Sequence, residues 1–196
     1  REEMRFRALE AGELCHSILR QLMKNIYSDK KGDIESIPLD QLQDQAKQMV
    51  DHYIDRRFPR LLETGLEKVR RNRIVRALQN FITKERQNQQ QNQTTPRYFE
   101  LAFSKPREEE QQDEKSIRRV LEIDCGDGRS LFLAGRIDRV DVFSHMGAEY
   151  GVIIDYKLRD RGSIDFENGQ SLQCPLYMLA LDRIFGIKAA ASFLYA

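Results

Sequence analysis

Gly135-Arg136-Ile137-Asp138-Arg139-Val140-Asp141, followed by Ile153-Ile154-Asp155-Tyr156-Lys157, decides how this chain folds. The first stretch carries acids in a run of apolar residues, and the second ends an apolar run on Asp-x-Lys. Ser144 to Gly147 supplies turn residues between them, so the pair reads as a hairpin: strand 131–142, then strand 149–158. Side chains alternate along a strand, which puts Asp155 and Lys157 on one face. Val152, Ile153 and Ile154 read as strand buried on both faces, so Asp155 arrives directly from the interior. An acid in that position has to be paired or bound to a metal. With Asp138 beside it, two carboxylates could hold a divalent cation while Lys157 manages charge. Mg²⁺ takes hard oxygen ligands and is usually held by one or two carboxylates. A metal so placed polarises a phosphate and lowers the pKa of a bound water. A neighbouring lysine can orient or deprotonate that water, or neutralise charge on the phosphate. That equipment suits phosphodiester cleavage. The residues alone leave a plainer reading open, because Asp-x-Lys at a strand end is also met as solvated surface charge.

Two further constellations point the same way. Leu9, Gly12, His16, Leu19 and Met23 fall at helical spacing on one face, with Gly12 one turn before His16 to admit another backbone. His16 therefore faces a packing surface, either as a core histidine or as a ligand. Gln173 and Tyr177 sit four apart on one helix face, where they could reach a phosphate or position the lysine. The alternative is an ordinary amphipathic helix with Leu172, Leu176, Leu179 and Ala180 inward. Pro175 belongs early in that helix or at a kink.

In this order the pieces resemble the PD-(D/E)xK nuclease superfamily, in its RecB/AddB-type branch. The matching pattern is G-x-x-x-H (Gly12, His16), G-R-I-D-R-x-D (Gly135 to Asp141), D-Y-K (Asp155 to Lys157) and Q-x-x-x-Y (Gln173, Tyr177). The resemblance covers roughly Arg7 to Ala196, and the helices between 20 and 95 add little motif content. It implies that His16, Asp138 and Asp155 are metal ligands, with the backbone carbonyl of Tyr156 as a fourth, and that the metal is Mg²⁺ or Mn²⁺. Lys157 then acts as the catalytic lysine, while Gln173 and Tyr177 support the site and the DNA backbone. Glu100 resembles an acid on the preceding strand of related nucleases and is a secondary candidate; its alternative is a solvent-facing acid on an edge strand. Many AddB-type domains hold an iron–sulfur cluster on four cysteines. Cys15, Cys125 and Cys174 lack that spacing, so no cluster is expected in this chain.

The resemblance further implies a deoxyribonuclease, acting as an exonuclease, in a helicase–nuclease that processes DNA ends for recombinational repair. Its partners would be DNA as single strand or ends, an AddA-like helicase subunit and the rest of a parent chain, since Arg1 in first place reads as a fragment of a longer protein. The alternatives are a stand-alone single-strand nuclease of the CRISPR-adaptation type and a non-catalytic DNA-binding scaffold.

Length and composition fit that setting. The 196 residues are long enough for one domain with a real core. There is no apolar run near 18 residues and no signal-peptide pattern, and three scattered cysteines make neither a disulfide framework nor a zinc site, which suits the cytoplasm and excludes a membrane role. Net charge is +1, so the chain is no generic polycation. Basic residues do concentrate between Arg56 and Arg86. There Leu62, Leu66, Val69, Ile74, Leu78 and Phe81 mark a long amphipathic helix. Arg70, Arg71, Arg73 and Arg76 on its basic side could contact DNA phosphates, or could simply form a solubilising face.

The fold expected is α/β: a restriction-endonuclease-like mixed sheet flanked by helices, with a helical N-terminal region. Helices are read over 5–27, 38–57 and 60–87, and the Gln/Asn-rich tract 87–95 as a flexible connector. Strands follow at 97–104, 119–125, 131–142 and 149–158, then helix 167–186 and strand 188–195, with a hairpin turn at Gly126-Asp127-Gly128. The whole is read as a single nuclease domain, with residues 1–87 its helical part, 88–96 the connector and 97–196 the mixed core.

Overall fold

The computed structural model describes residues 8–27, 33–57, 65–91, 93–104, 113–156 and 172–195. The chain divides into two compact units, Arg1–Asn92 and Gln93–Ala196.

The first unit is helical: α1 (Ala8–Tyr27), α2 (Leu39–Arg57) and α3 (Gly65–Gln91). Apolar side chains at helical spacing build its core. Leu14, Ile18, Leu22 and Ile26 are buried along α1, and Leu42, Ala46, Val50 and Ile54 along α2, each series rising four residues at a time. In α3 the buried face runs Ile74, Val75, Leu78, Phe81 and Ile82. The apolar stripe expected from residue 62 onward starts later than that: Leu66 and Val69 are exposed, and Leu62 lies outside the described residues. The connector read at 87–95 is also corrected, because α3 continues through Gln91 and the first strand begins at Thr95. Glu85 is buried on this last stretch of helix, and Gln89 donates to its carboxylate at 3.0 Å. Arg86 closes the unit by donating to the carbonyls of Ile37 at 3.1 Å and Glu35 at 3.0 Å.

The second unit is α/β, of the restriction-endonuclease-like kind. Its main sheet has the order β1 (Thr95–Phe103), β4 (Gly135–His145), β5 (Ala148–Tyr156), β6 (Lys188–Tyr195), and β2 (Leu121–Asp124) pairs with β3 (Ser130–Leu133) in a separate two-stranded ribbon. β1, β4 and β5 are antiparallel neighbours, and β6 joins β5 in parallel after the crossover through α4 (Gln173–Phe185). The strand read over 131–142 is two strands. The ribbon strand β3 ends at Leu133, and β4 starts at Gly135 and runs on to His145. β4 ends later than expected because its turn is only Met146–Gly147, with φ of 48° and 76° at the two positions, the geometry of a two-residue type I′ hairpin. The Gly126-Asp127-Gly128 turn lies between β2 and β3 as expected, all three residues at positive φ.

Helix α4 is seated against β5 at Gly151, where a Cβ would meet Leu181 at 2.6 Å and Val140 at 3.2 Å. Only a residue without a side chain lets the helix come so close. Pro175 sits in the first turn of α4, where its missing N–H is one the helix could not have bonded. Gly186, at φ 69°, ends the helix with its N–H on the Asp182 carbonyl, the bond of an αL cap, and the Ile187 N–H bonds the Leu181 carbonyl beside it.

Candidate active site

Strand pairing brings acids from β1, β4 and β5 into one row. Phe99 pairs with Arg139 and Leu101 with Ile137, so Glu100 falls opposite Asp138. Arg139 pairs with Ile154, so the next step puts Asp138 opposite Asp155. Residues facing each other across a ladder project to the same side, so the row shares one face of the sheet. All three acids are buried, at 4%, 9% and 2% exposure for Glu100, Asp138 and Asp155. The solvent-facing alternative for Glu100 is thereby corrected. Oxygens of Glu100 and Asp138 lie within 4.8 Å of each other, close enough to share an ion.

Each acid is also held. Asp138 accepts the main-chain N–H of Tyr156 at 2.9 Å. The Gln173 amide donates to Asp155 at 2.8 Å and to the Tyr177 hydroxyl at 3.2 Å, so Gln173 reaches the row directly and links Tyr177 to it. The Glu100 carboxylate meets the Arg136 guanidinium at 2.6 Å. Glu100 stands at φ 58°, left-handed backbone that a non-glycine residue adopts at a cost of about 1–2 kcal/mol. Such strain inside a strand is characteristic of functional sites.

Burial pushes the Tyr177 hydroxyl above its ordinary pKa; the Gln173 hydrogen bond pulls part of the way back, the charges of Asp138 and Asp155 add to the rise, and the Arg136 backbone opposes it least. Tyr177 is therefore a neutral hydrogen-bond donor at physiological pH. Its ring stands edge-on to Phe103, with centroids 6.2 Å apart. Gly135 makes room for both rings: a Cβ there would sit 2.7 Å from Phe103 and 3.2 Å from Tyr177.

The opposite face of β4 holds a feature to which the sequence reading gave no role. Arg139, 1% exposed, forms a bidentate pair with Asp141 at 2.5 and 2.7 Å, and reaches the Tyr156 hydroxyl at 3.5 Å. Their i, i+2 spacing on a strand is the signal that could have shown it. Alternation thus sends Asp138 to one face while its neighbours neutralise each other on the other.

The remaining predicted residues are distributed as follows. Lys157 lies outside the described residues. His16 is half-buried on α1 in the helical unit. Among the described residues nothing comes within 4 Å of a Cβ built at Gly12, so the close approach expected there is not seen. Arg70 pairs with Glu67 at 2.8 Å and Arg71 with Asp55 at 2.7 Å, while Arg73 and Arg76 are exposed. Cys15 and Cys174 are buried and Cys125 is exposed, and burial pushes the Cys15 thiol up to about 12.

Hard oxygen donors from adjacent strands suit an ion of the Mg²⁺ or Mn²⁺ type rather than a soft metal. Buried carboxylates placed side by side repel one another, which a cation relieves. No described helix is long and apolar enough to cross a membrane.

Comparison with known proteins agrees with this chemistry. The family model described as the PD-(D/E)XK nuclease superfamily matches residues 1–195. The chain is similar to an ATP-dependent helicase/deoxyribonuclease subunit from Symbiobacterium thermophilum, 29% identical over 189 residues, which are 92% of this chain and 15% of that protein. The subunit of the same description from Caldanaerobacter subterraneus subsp. tengcongensis is 28% identical over 193 residues, 95% of this chain and 16% of that one. A third, from Moorella thermoacetica, is 42% identical over 64 residues, 31% of this chain and 5% of its own length. The chain therefore spans only a small part of these relatives.

Proposed function

The chain belongs to the PD-(D/E)XK nuclease superfamily, and from that premise we propose that it is a divalent-metal-dependent deoxyribonuclease domain, an exonuclease within a helicase–nuclease that processes DNA ends for recombinational repair. The observation that carries this reading is the buried row of Glu100, Asp138 and Asp155 with Gln173 bonded to its end. The relatives described as ATP-dependent helicase/deoxyribonuclease subunits support the helicase setting.

In this reading the two units make one nuclease domain. Asp138 and Asp155 hold Mg²⁺ or Mn²⁺ together with His16 and the Tyr156 carbonyl, and Glu100 adds an oxygen donor. The ion, when bound, polarises the phosphate and lowers the pKa of the attacking water. Asp138 is kept in place by the Tyr156 N–H, and Asp155 by the Gln173 amide. Tyr177 offers a neutral hydroxyl to a phosphate oxygen at the row. Lys157 orients or deprotonates the water. Arg73 and Arg76 follow the DNA backbone on α3. The partners are DNA ends or single strands, a helicase subunit and the remainder of a longer chain, in the cytoplasm.

The test is cleavage of end-labelled single- and double-stranded DNA with Mg²⁺, Mn²⁺ or EDTA, using wild type beside Asp155→Ala and Lys157→Ala. Metal-dependent cutting that both variants lose supports the proposal. Cutting that either folded variant retains at the wild-type rate would refute the assigned site, and its absence from the wild type under all conditions would favour a DNA-binding scaffold.

A further inference from the structure

Glu100 holds its left-handed backbone in the middle of a strand, and the contacts that grip it come from the outer edge of β1. The Asp113 carboxylate accepts the Phe99 N–H at 3.0 Å, and the Asp113 N–H donates to the Glu100 carbonyl at 3.3 Å. One residue thus holds both ends of the Phe99–Glu100 dipeptide. Asp113 is itself fixed: its other carboxylate oxygen accepts the Lys115 N–H at 2.9 Å, and its carbonyl accepts the Ser116 N–H at 2.9 Å. Lys115 in turn anchors on β1, its ammonium 3.1 Å from the Tyr98 hydroxyl. Further along the same edge, the Ser116 hydroxyl accepts the Ala102 N–H at 3.0 Å.

A strained residue persists only where its surroundings over-determine it. Here the determining contacts converge on the dipeptide that carries an acid of the row, opposite Asp138. We propose that Asp113 is a positioning residue for the metal site: it holds Glu100 in left-handed geometry and so keeps the Glu100 carboxylate beside Asp138 as an oxygen ligand. This rests on the divalent-metal reading above.

The test is calorimetric titration of the 196-residue chain with Mn²⁺, with circular dichroism to verify the fold of each variant. Asp113→Ala weakens Mn²⁺ binding about 10-fold, the loss typical of removing a group that orients a ligand. Glu100→Gln weakens it at least as much. The double variant binds no more weakly than Glu100→Gln alone, because Asp113 acts only through Glu100. Ser116→Ala removes the neighbouring edge bond and leaves Mn²⁺ affinity at the wild-type value. Asp113→Asn keeps an oxygen acceptor for the Phe99 N–H and leaves Mn²⁺ affinity near the wild-type value, and Asp113→Leu takes the place of Asp113→Ala if the alanine variant does not fold. Unchanged affinity in Asp113→Ala or Glu100→Gln, additive losses in the double variant, or an equal loss in Ser116→Ala would each overturn the proposal. If the wild type binds no Mn²⁺, the metal reading itself fails and the positioning role goes with it, an outcome distinct from wild-type binding that Asp113→Ala leaves intact.

Discussion

Asp138 accepts the main-chain N–H of Tyr156 at 2.9 Å, so the acid of β4 is tied to the residue that follows Asp155 on β5. This bond separates the structural duty of Asp138 from its chemical one. Asp138→Asn keeps an oxygen for the Tyr156 N–H, whereas Asp138→Ala removes that acceptor, at a cost of about 1 kcal/mol. We expect both variants to lose cleavage, but only the alanine variant to lose stability on that scale. Chemical denaturation beside a DNA cleavage assay checks it, and equal destabilisation of the two would contradict the account.

The Gln173 amide donates to Asp155 at 2.8 Å, and if its part in the site is to orient that acid, a metal titration should show it. Gln173→Leu should raise the Mg²⁺ concentration for half-maximal cleavage by about 10–100-fold, the usual effect of losing an outer partner of a ligand. Gln173→Glu should be worse, since it sets a carboxylate where the amide now donates to Asp155 at 2.8 Å. A metal titration of cleavage rate reads both, and a Gln173→Leu variant with unaltered metal dependence would remove Gln173 from this role.

How far these residues could be read from sequence depends on whether a local rule exposes them. The hairpin carrying Asp138 and Asp155 was legible because apolar runs, alternation and turn residues all agree. The Gln173–Tyr177 pair was legible from helical spacing, though its direct bond to Asp155 was not. Three features were hidden. The run from Leu131 to Val142 gives no sign that a ribbon strand ends at Leu133 and a new strand starts at Gly135. Met146 occupies a positive-φ turn position usually marked by Asn, Asp or Gly, so the end of β4 is read too early. The left-handed backbone of Glu100 is set by Asp113, thirteen positions away, and no local propensity announces it.

Gly135 tests whether Tyr177 must stand where it does. A Cβ at this position meets the Phe103 ring at 2.7 Å and the Tyr177 ring at 3.2 Å, so Gly135→Ala must displace one of them. Overpacking of this kind costs about 1–3 kcal/mol. We expect a lower melting temperature together with reduced cleavage per folded molecule. Full activity of the folded fraction would mean that Tyr177 tolerates the shift.

The Tyr177 hydroxyl should ionise above the ordinary tyrosine value of 10.0, because burial and the nearby carboxylates disfavour the phenolate. The sign follows from linkage. A group whose pKa is higher in the folded state leaves stability intact below its unfolded value and costs stability as pH rises through the folded one. Tyr177 therefore imposes no limit on activity near neutrality and a penalty on folding only in strong alkali. Ultraviolet difference titration of wild type against Tyr177→Phe should show the missing phenol ionising late; a normal or early ionisation would contradict the neutral-donor role.

Arginines of α3 divide by what they touch. Arg71 bonds Asp55 at 2.7 Å and approaches Asp51 at 3.5 Å, and Arg70 bonds Glu67 at 2.8 Å, so their charges are already met within the helical unit. Arg73 and Arg76 are exposed one turn apart. If α3 lies along the DNA backbone, Arg73→Gln and Arg76→Gln should each weaken binding alike on any sequence and flatten the slope of log affinity against log salt by about 0.7–0.9. Arg71→Gln should instead lower stability slightly and leave that slope less changed. Fluorescence anisotropy with a labelled oligonucleotide over a salt series, with EDTA present to prevent cleavage, separates the two groups. Equal slopes for all variants and the wild type would make this face a solubilising one, and the DNA path would then have to be sought elsewhere on the chain.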